Sequence, residues 1–175
     1  MTVPAPSFTD LIAATTISAV HLEMRDAYTP SDPDYLAWLA GKPVSSVLES
    51  PDHEWWHRLV RTHVKRGVVF RRARIVSEPL ADFIRYEYES TPLLNIPAGE
   101  HVRWLPRRRA SDLCLPGNDF WAFDGRLVLF IHFAGDGEFV EHEISDDPAT
   151  VRLCTSAFEA VWERAIDHAR YAPTP

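Results

Sequence analysis

The stretch "DFWAFDGRLVLFIHFAGDGEFVEHEI", residues 119–144, decides the fold class because its strand pattern is the clearest in the chain. Its β-branched and aromatic residues are typical of strands, and Asp124-Gly125 is a dipeptide preferred in two-residue type I′ hairpin turns. A second glycine-containing turn follows, which predicts a β-meander. The predicted strands cover about 119–123, 126–133 and 138–144.

Upstream of the meander, helical and strand patterns alternate. Ser50 before Pro51 is a favourable helix start, and apolar residues at helical spacing predict a helix over about 51–66. "VVFRRARIVSE", residues 68–78, reads as a strand. The remaining predicted elements are helices in the first half of 8–25, around 35–40, over 80–90 and after Asp146 or Asp147, and a short strand over 101–106. This order predicts an α/β (α+β) fold with a single mixed β-sheet, a C-terminal meander and helices packed on the sheet.

Length and composition favour one globular unit. A chain of 175 residues suffices for one ordinary core, so we expect a single domain over 1–175, mainly helical over 1–66 and a sheet with packed helices over 67–175. No apolar run reaches the length of a membrane span, and the N-terminus lacks the basic region of a signal peptide. Cys114 and Cys154 show no paired metal-binding spacing. We therefore expect a cytoplasmic protein without a cofactor or membrane contact.

Charge is segregated along the chain. The formal net charge is −7, which argues against direct nucleic-acid binding. The segment between Trp55 and Ser77 nevertheless holds seven bases and no acid, whereas twelve acids follow Ser111. The simplest interpretation is that the basic and acidic segments form solvent-exposed faces whose charges balance each other. Arginine forks could also converge on a phosphate, which gives a phosphate- or nucleotide-sensing domain as one alternative function, with Arg71, Arg72, Arg107 and Arg108 as its binding residues.

His53-Glu54-x-x-His57 has the spacing by which a helix presents two zinc ligands and a general base. Glu78 is the candidate third ligand, and a zinc-dependent hydrolase is the second alternative. On a helix that buries Trp56, however, Glu54 lies roughly 160° from the buried stripe, towards solvent. The basic segment that follows also opposes a bound dication.

No other catalytic set emerges. His132 and His142 are predicted on one face of the meander, where a ligand or metal pair competes with ordinary partly buried histidines. The sequence contains no nucleophile elbow and no phosphate-cradling glycine loop. We therefore predict no catalytic residue and a protein that is not an enzyme.

Five phrases along the chain are distinctive: "SAVHLEMRDAY" (18–28), "RIVSEPLADFIRYEY" (74–88), "NIPAGEHVRWLPRR" (95–108), "LCLPGNDFWAFDG" (113–125) and "AFEAVWERAIDHARY" (157–171). Together they resemble an uncharacterised family of actinobacterial proteins of the Streptomyces type. "LPGNDFW" is the most specific phrase, and the resemblance covers nearly the whole chain. It implies a regulatory or signalling accessory, since members are often encoded near helix-turn-helix regulators, and it transfers no catalytic residue.

The C-terminal half also looks like the sensor domains of such regulators and like half of a phospholipase D-type domain. When Asp124 is aligned with the aspartate of the His-x-Lys-x4-Asp motif, Gly117 and Asp119 stand where its histidine and lysine belong. The resemblance thus implies a degenerate domain without phosphodiesterase chemistry.

The leading hypothesis from sequence is a non-enzymatic regulatory domain that binds a partner protein, expected to be a helix-turn-helix transcriptional regulator. A homodimer is an additional assembly to consider. Arginine and tryptophan are enriched at protein interfaces, so the binding surface is expected around 103–124. Its predicted residues are Arg103, Trp104, Arg107, Arg108, Asn118, Asp119 and Trp121.

Overall fold

The computed structural model describes residues 6–47 and 49–174, which form an α+β fold with one mixed sheet. Within these residues the strands are β1 (Ser18–Glu23), β2 (Val69–Val76), β3 (His101–Pro106), β4 (Asp119–Phe123), β5 (Leu127–Phe133), β6 (Phe139–Ser145) and β7 (Ile166–Asp167). The α-helices are α1 (Phe8–Ala14), α2 (Pro33–Leu39), α3 (Val44–Val47), α4 (Pro51–Val64), α5 (Asp82–Ser90), α6 (Asn95–Ala98) and α7 (Pro148–Arg164). The predicted fold class is confirmed. Within the described residues, no helix is long and apolar enough for a membrane span.

The sheet order is β6-β5-β4-β1-β2-β3-β7. Strands β1, β2 and β3 are parallel to one another, and the remaining neighbours pair antiparallel. Helices α2 to α4 connect β1 to β2, and α5 and α6 connect β2 to β3, as parallel neighbours require. Helices α1 and α4 pack on one face of the sheet, against the buried cluster that contains Ala19, Phe70 and Trp121. The long C-terminal helix α7 packs on the other face, against the cluster that contains Leu22, Ala73, Ile75 and Phe120.

The predicted meander forms as β4, β5 and β6. Asp124 and Gly125 have φ angles of 51° and 62°, so both central turn residues are left-handed, as a type I′ turn requires. The Asp124 carboxylate also accepts hydrogen bonds from the backbone amides of Thr16, Ile17 and Ser18 at 2.8 to 2.9 Å. One turn residue therefore closes the hairpin and anchors the start of β1.

His132 and His142 do not share a face, contrary to the sequence prediction. His142 lies opposite Ile131, and His132 lies opposite Glu141, so the two histidines point to opposite sides of the sheet. The pairing shifts between His132 and Phe133, and this irregularity breaks the simple alternation on which the prediction relied. His132 instead contacts Glu143 at 2.9 Å.

Candidate functional site

The candidate site lies on the sheet face covered by α4, α5 and α6. Residues two apart in a strand share a face, so His21 and Glu23 of β1 point to the same side. The parallel register sets His21 beside Arg72 and Glu23 beside Arg74 of β2. These four polar side chains are buried because helices cover them.

A buried ion network joins the two strands. The carboxylate of Glu23 binds Arg72 through one oxygen and Arg74 through the other. The Nε of Arg72 also donates to Glu100 at 2.9 Å, and Nη2 of Arg74 donates to Glu87 at 3.1 Å. Side-chain exposure is 7% for Glu23, 10% for Arg72 and 4% for Arg74. Since buried ion pairs seldom add net stability, this network suggests a functional role.

The carboxyl groups of the network differ in protonation. Although burial opposes ionisation, Arg74 and Arg72 hold the pKa of Glu23 well below its usual range. Burial raises the pKa of Glu87 to about 8, with the negative charge of Glu23 adding to the effect and Arg74 opposing it. Two guanidinium groups are thus balanced by the Glu23 and Glu100 carboxylates, while Glu87 holds a proton at neutral pH.

His21 is the least satisfied side chain of the site. Its ring stacks on Trp121 with centroids 4.3 Å apart. Its Nδ1 lies 3.2 Å from a Glu23 oxygen, but within the described part of the chain neither ring nitrogen makes a hydrogen bond. Burial and the nearby arginines hold the pKa of His21 well below its usual value, although Glu23 opposes this shift, so the imidazole is neutral at neutral pH.

A cavity of about 330 Å³ opens above the network. Arg72 lies between two indoles, 5.6 Å from the Trp56 centroid and 5.4 Å from that of Trp121. Glu87 also lines the cavity, and its Oε2 is buried without a hydrogen-bond partner among the described residues. The wall combines the aromatic residues Phe8, Trp56, Phe83, Tyr86 and Trp121 with further polar ones, Asp32, His53, Ser90 and Asn95. A concave site in which polar groups converge between aromatic walls is typical of small-molecule binding.

Three of the four candidate zinc-site residues lie together, but the proposed third ligand, Glu78, lies elsewhere. His53, Glu54 and His57 line a neighbouring depression of about 350 Å³, and His53 contacts Asp34 at 3.4 Å. Glu78 instead accepts a hydrogen bond from the Tyr171 hydroxyl at 2.9 Å. Residues 6–47 and 49–174 contain no cluster of three side chains that could hold a metal ion.

The four arginines of the phosphate hypothesis do not converge, although Arg107 and Arg108 line one depression. Arg71 points to the α7 face, where it binds Glu159 at 2.6 Å, whereas Arg72 points to the opposite face. Arg107 donates to the Met24 carbonyl at 2.7 Å and so ties the end of β1 to the loop after β3. The side chain of Arg108 is 79% exposed.

Several residues of the predicted partner-binding surface are buried. Trp104 is 0% exposed and Trp121 is 4% exposed, because both side chains lie on the sheet face that α4, α5 and α6 cover. Asp119 is buried and accepts from the Tyr28 hydroxyl at 2.6 Å. The exposure expected for these three residues is therefore wrong. Arg103 is half-buried and donates to the Trp162 carbonyl at 2.9 Å, whereas Asn118 is exposed.

Sequence reasoning missed His21, Glu23, Glu87 and Glu100 as site residues. A signal was present in "SAVHLE" and "VFRRARIV", where charged residues alternate with apolar ones in strands. In a sheet covered on both faces, such charges must meet partners. The sequence did not show that β1 and β2 are neighbours in the sheet, so the pairing of these charged residues could not be predicted.

The comparison with protein families identifies one match. The model of a domain of unknown function, DUF6879, matches residues 6–173. The chain belongs to the DUF6879 family. This DUF6879 chain has no match among curated proteins.

One solved structure similar to this DUF6879 chain is described as "Structure of TrmBL2, an archaeal chromatin protein, shows a novel mode of DNA binding". The two chains are 12% identical, with a TM-score of 0.45. The match covers 90% of the DUF6879 chain and 47% of the TrmBL2 chain, so our chain spans about half the length of that protein.

Proposed function

We propose that this DUF6879 chain is a non-enzymatic regulatory domain whose aromatic cavity binds a small ligand. The observation that carries this proposal is the buried His21 imidazole at the cavity, with both nitrogens lacking hydrogen bonds among the described residues. An unsatisfied buried polar group costs about 1–3 kcal/mol. A ligand that bonds to these atoms would remove that cost.

The ion network supports the same proposal by making the cavity rigid. Glu100 accepts from Arg72, from the Trp56 indole at 2.7 Å and from Asn95 at 2.7 Å. These bonds link β2, α4 and α6, so the walls of the cavity are held before any ligand arrives. Preorganised walls reduce the entropy that binding costs.

The proposal of a non-enzymatic role rests on the hydrogen bond that the serine hydroxyl at the cavity makes. Ser90 lines the cavity, but its hydroxyl donates to the Glu87 carbonyl at 3.1 Å. An activated serine nucleophile would instead bond to a general base. The site is therefore better suited to binding than to covalent catalysis.

His21→Phe is expected to abolish ligand binding while keeping the ring stacked on Trp121. A thermal-shift screen of small metabolites would identify binders of the wild-type chain, and calorimetry would compare the variants. His101→Phe is the matched control, because His101 is exposed at the start of β3. Binding that persists in His21→Phe would contradict the assignment of the cavity, as would a screen without any binder.

We further propose that a helix-turn-helix regulator is the partner of this domain. Support comes from the sequence resemblance and from Arg108 and Asn118, which remain exposed within the predicted surface. Arg108→Ala with Asn118→Ala is expected to weaken the effect of the purified domain on the DNA affinity of a copurifying regulator at least about tenfold. Arg126→Ala, at an exposed turn, is the control. If the domain leaves the DNA affinity of every copurifying regulator unchanged, the partner proposal is wrong.

A further inference from the structure

We infer that the ligand is an uncharged planar molecule of the nucleobase or aromatic amide class, with a hydrogen-bond donor close to an acceptor. This inference rests on the proposed function, because it concerns the same cavity. It follows from the charges, the unsatisfied atoms and the shape of the wall.

The arginines of the buried network already have carboxylate partners. Glu23 binds both Arg72 and Arg74, and Glu100 binds Arg72 from the other side. An anionic ligand would have to compete with these carboxylates for the arginines. A cationic ligand would find Glu23 and Glu100 paired with arginines, and Asp32, which also lines the cavity, already accepts from the backbone amides of Asp34 and Tyr35. A buried charge without its own partner costs several kcal/mol. The balance therefore favours an uncharged ligand over a phosphate.

The unsatisfied atoms define the hydrogen-bonding groups of the ligand. A neutral imidazole has one N–H donor and one bare nitrogen acceptor. Because Nδ1 of His21 lies 3.2 Å from a Glu23 carboxylate oxygen, the proton belongs on Nδ1, and Nε2 calls for a donor on the ligand. The Oε1 of Glu87 faces Arg74, which leaves Oε2 to carry the proton and donate it. An amide or nucleobase edge presents a donor and acceptors close together in one plane.

The wall favours a flat molecule of modest size. Aromatic side chains come from α1, α4, α5 and β4, and aromatic rings prefer stacked or edge-to-face contacts with other rings. The volume of about 330 Å³ lies at the lower end of the usual range for ligand cavities, about 300–1,000 Å³. One or two fused rings suit this space better than a nucleoside triphosphate.

Binding requires a small movement of the side chains that cover the His21 nitrogens and Glu87 Oε2, while the Glu100 hydrogen bonds keep β2, α4 and α6 in place. Trp121 stacks on the imidazole and would report this movement through its fluorescence. Because the chain has six tryptophans, the change is assigned to Trp121 by its loss in a Trp121→Phe variant. Fluorescence thus gives a readout of the site that does not depend on affinity.

The test uses matched pairs of probes that differ in charge or planarity. The pairs are nicotinamide and nicotinate, adenine and adenosine monophosphate, and benzamide and cyclohexanecarboxamide, each titrated by calorimetry into the wild-type chain. The uncharged planar member is expected to bind at least about tenfold more tightly in each pair and to change the tryptophan fluorescence. Glu87→Gln, which keeps an uncharged donor, is expected to retain binding, whereas Glu87→Ala is expected to weaken it at least about tenfold. Circular dichroism checks that both variants are folded.

The outcomes separate this inference from the proposed function. Tighter binding of the anionic or non-planar members would overturn the inference but leave a ligand-binding cavity. The inference would also fail if none of the uncharged planar probes bound while another metabolite bound in a His21-dependent manner. If no small molecule of any class bound, the proposed function itself would fail.

Discussion

Glu23→Gln is expected to lower the free energy of unfolding by about 3–5 kcal/mol, the loss typical of removing one partner from a buried ion pair. The Glu23 carboxylate contacts both Arg72 and Arg74. The amide variant has nearly the same shape but leaves two buried guanidinium groups with less negative charge around them. Urea unfolding followed by tryptophan fluorescence measures the change.

Glu163→Gln is the matched control for this loss. Glu163 is exposed on α7, so the same chemical change should alter the free energy of unfolding by about 0.5 kcal/mol or less. If Glu23→Gln lost less than about 1 kcal/mol, the network would not be a closely coupled buried structure. Such a result would also remove the argument that its charges are balanced.

Glu87→Gln is expected to become more stable relative to the wild type as the pH rises. The pKa of Glu87 is raised from 4.5 to about 8, so its favourable contribution is fully present below pH 4.5 and is lost as the pH approaches 8. The Gln side chain of the variant cannot ionise, so the variant does not lose this stability. The stability difference between variant and wild type should shift by on the order of 3 kcal/mol between pH 5 and pH 8.

Comparing the variant with the wild type isolates Glu87 from other titrating groups. Burial raises the pKa of Asp119 to about 6, which also lowers stability as the pH rises, whereas the lowered pKa of His21 acts in the opposite direction. Both effects are shared by the two proteins and largely cancel in the difference. A difference that is flat across this pH range would mean that Glu87 is ionised throughout.

The meander was predictable because its signals are local. The turn at Asp124-Gly125 and the alternating apolar residues on either side lie within a few positions of each other. Strand β1 was not predicted, because Ser18–Glu23 is short and directly follows a helical pattern. Only its pairing with β2 and β4 makes it a central strand of the sheet.

The site was not predictable because its partners are distant in sequence. Glu23 meets Arg72 only because β1 and β2 are neighbours, and Glu100 joins them only after α6 folds over the sheet. The sequence reading also treated Trp104 and Trp121 as surface residues, since nothing local distinguishes a buried indole from an interfacial one. Topology, which the local patterns left open, determined both outcomes.

Asp119 and Asp124 give β4 a fixed length. Asp124 accepts a hydrogen bond from the backbone amide of Ser18 at the start of β1. Asp119 accepts one at 2.9 Å from the amide of Met24, the residue that follows the end of β1. The two carboxylates thus fix the register of β1 against β4 at both ends of the pair. Inserting or deleting one residue between them would move one of the two carboxylates out of register with β1 and turn the side chains of part of β4 to the other face of the sheet. Length variation in this family should therefore fall in the loops around β4 and not within the strand.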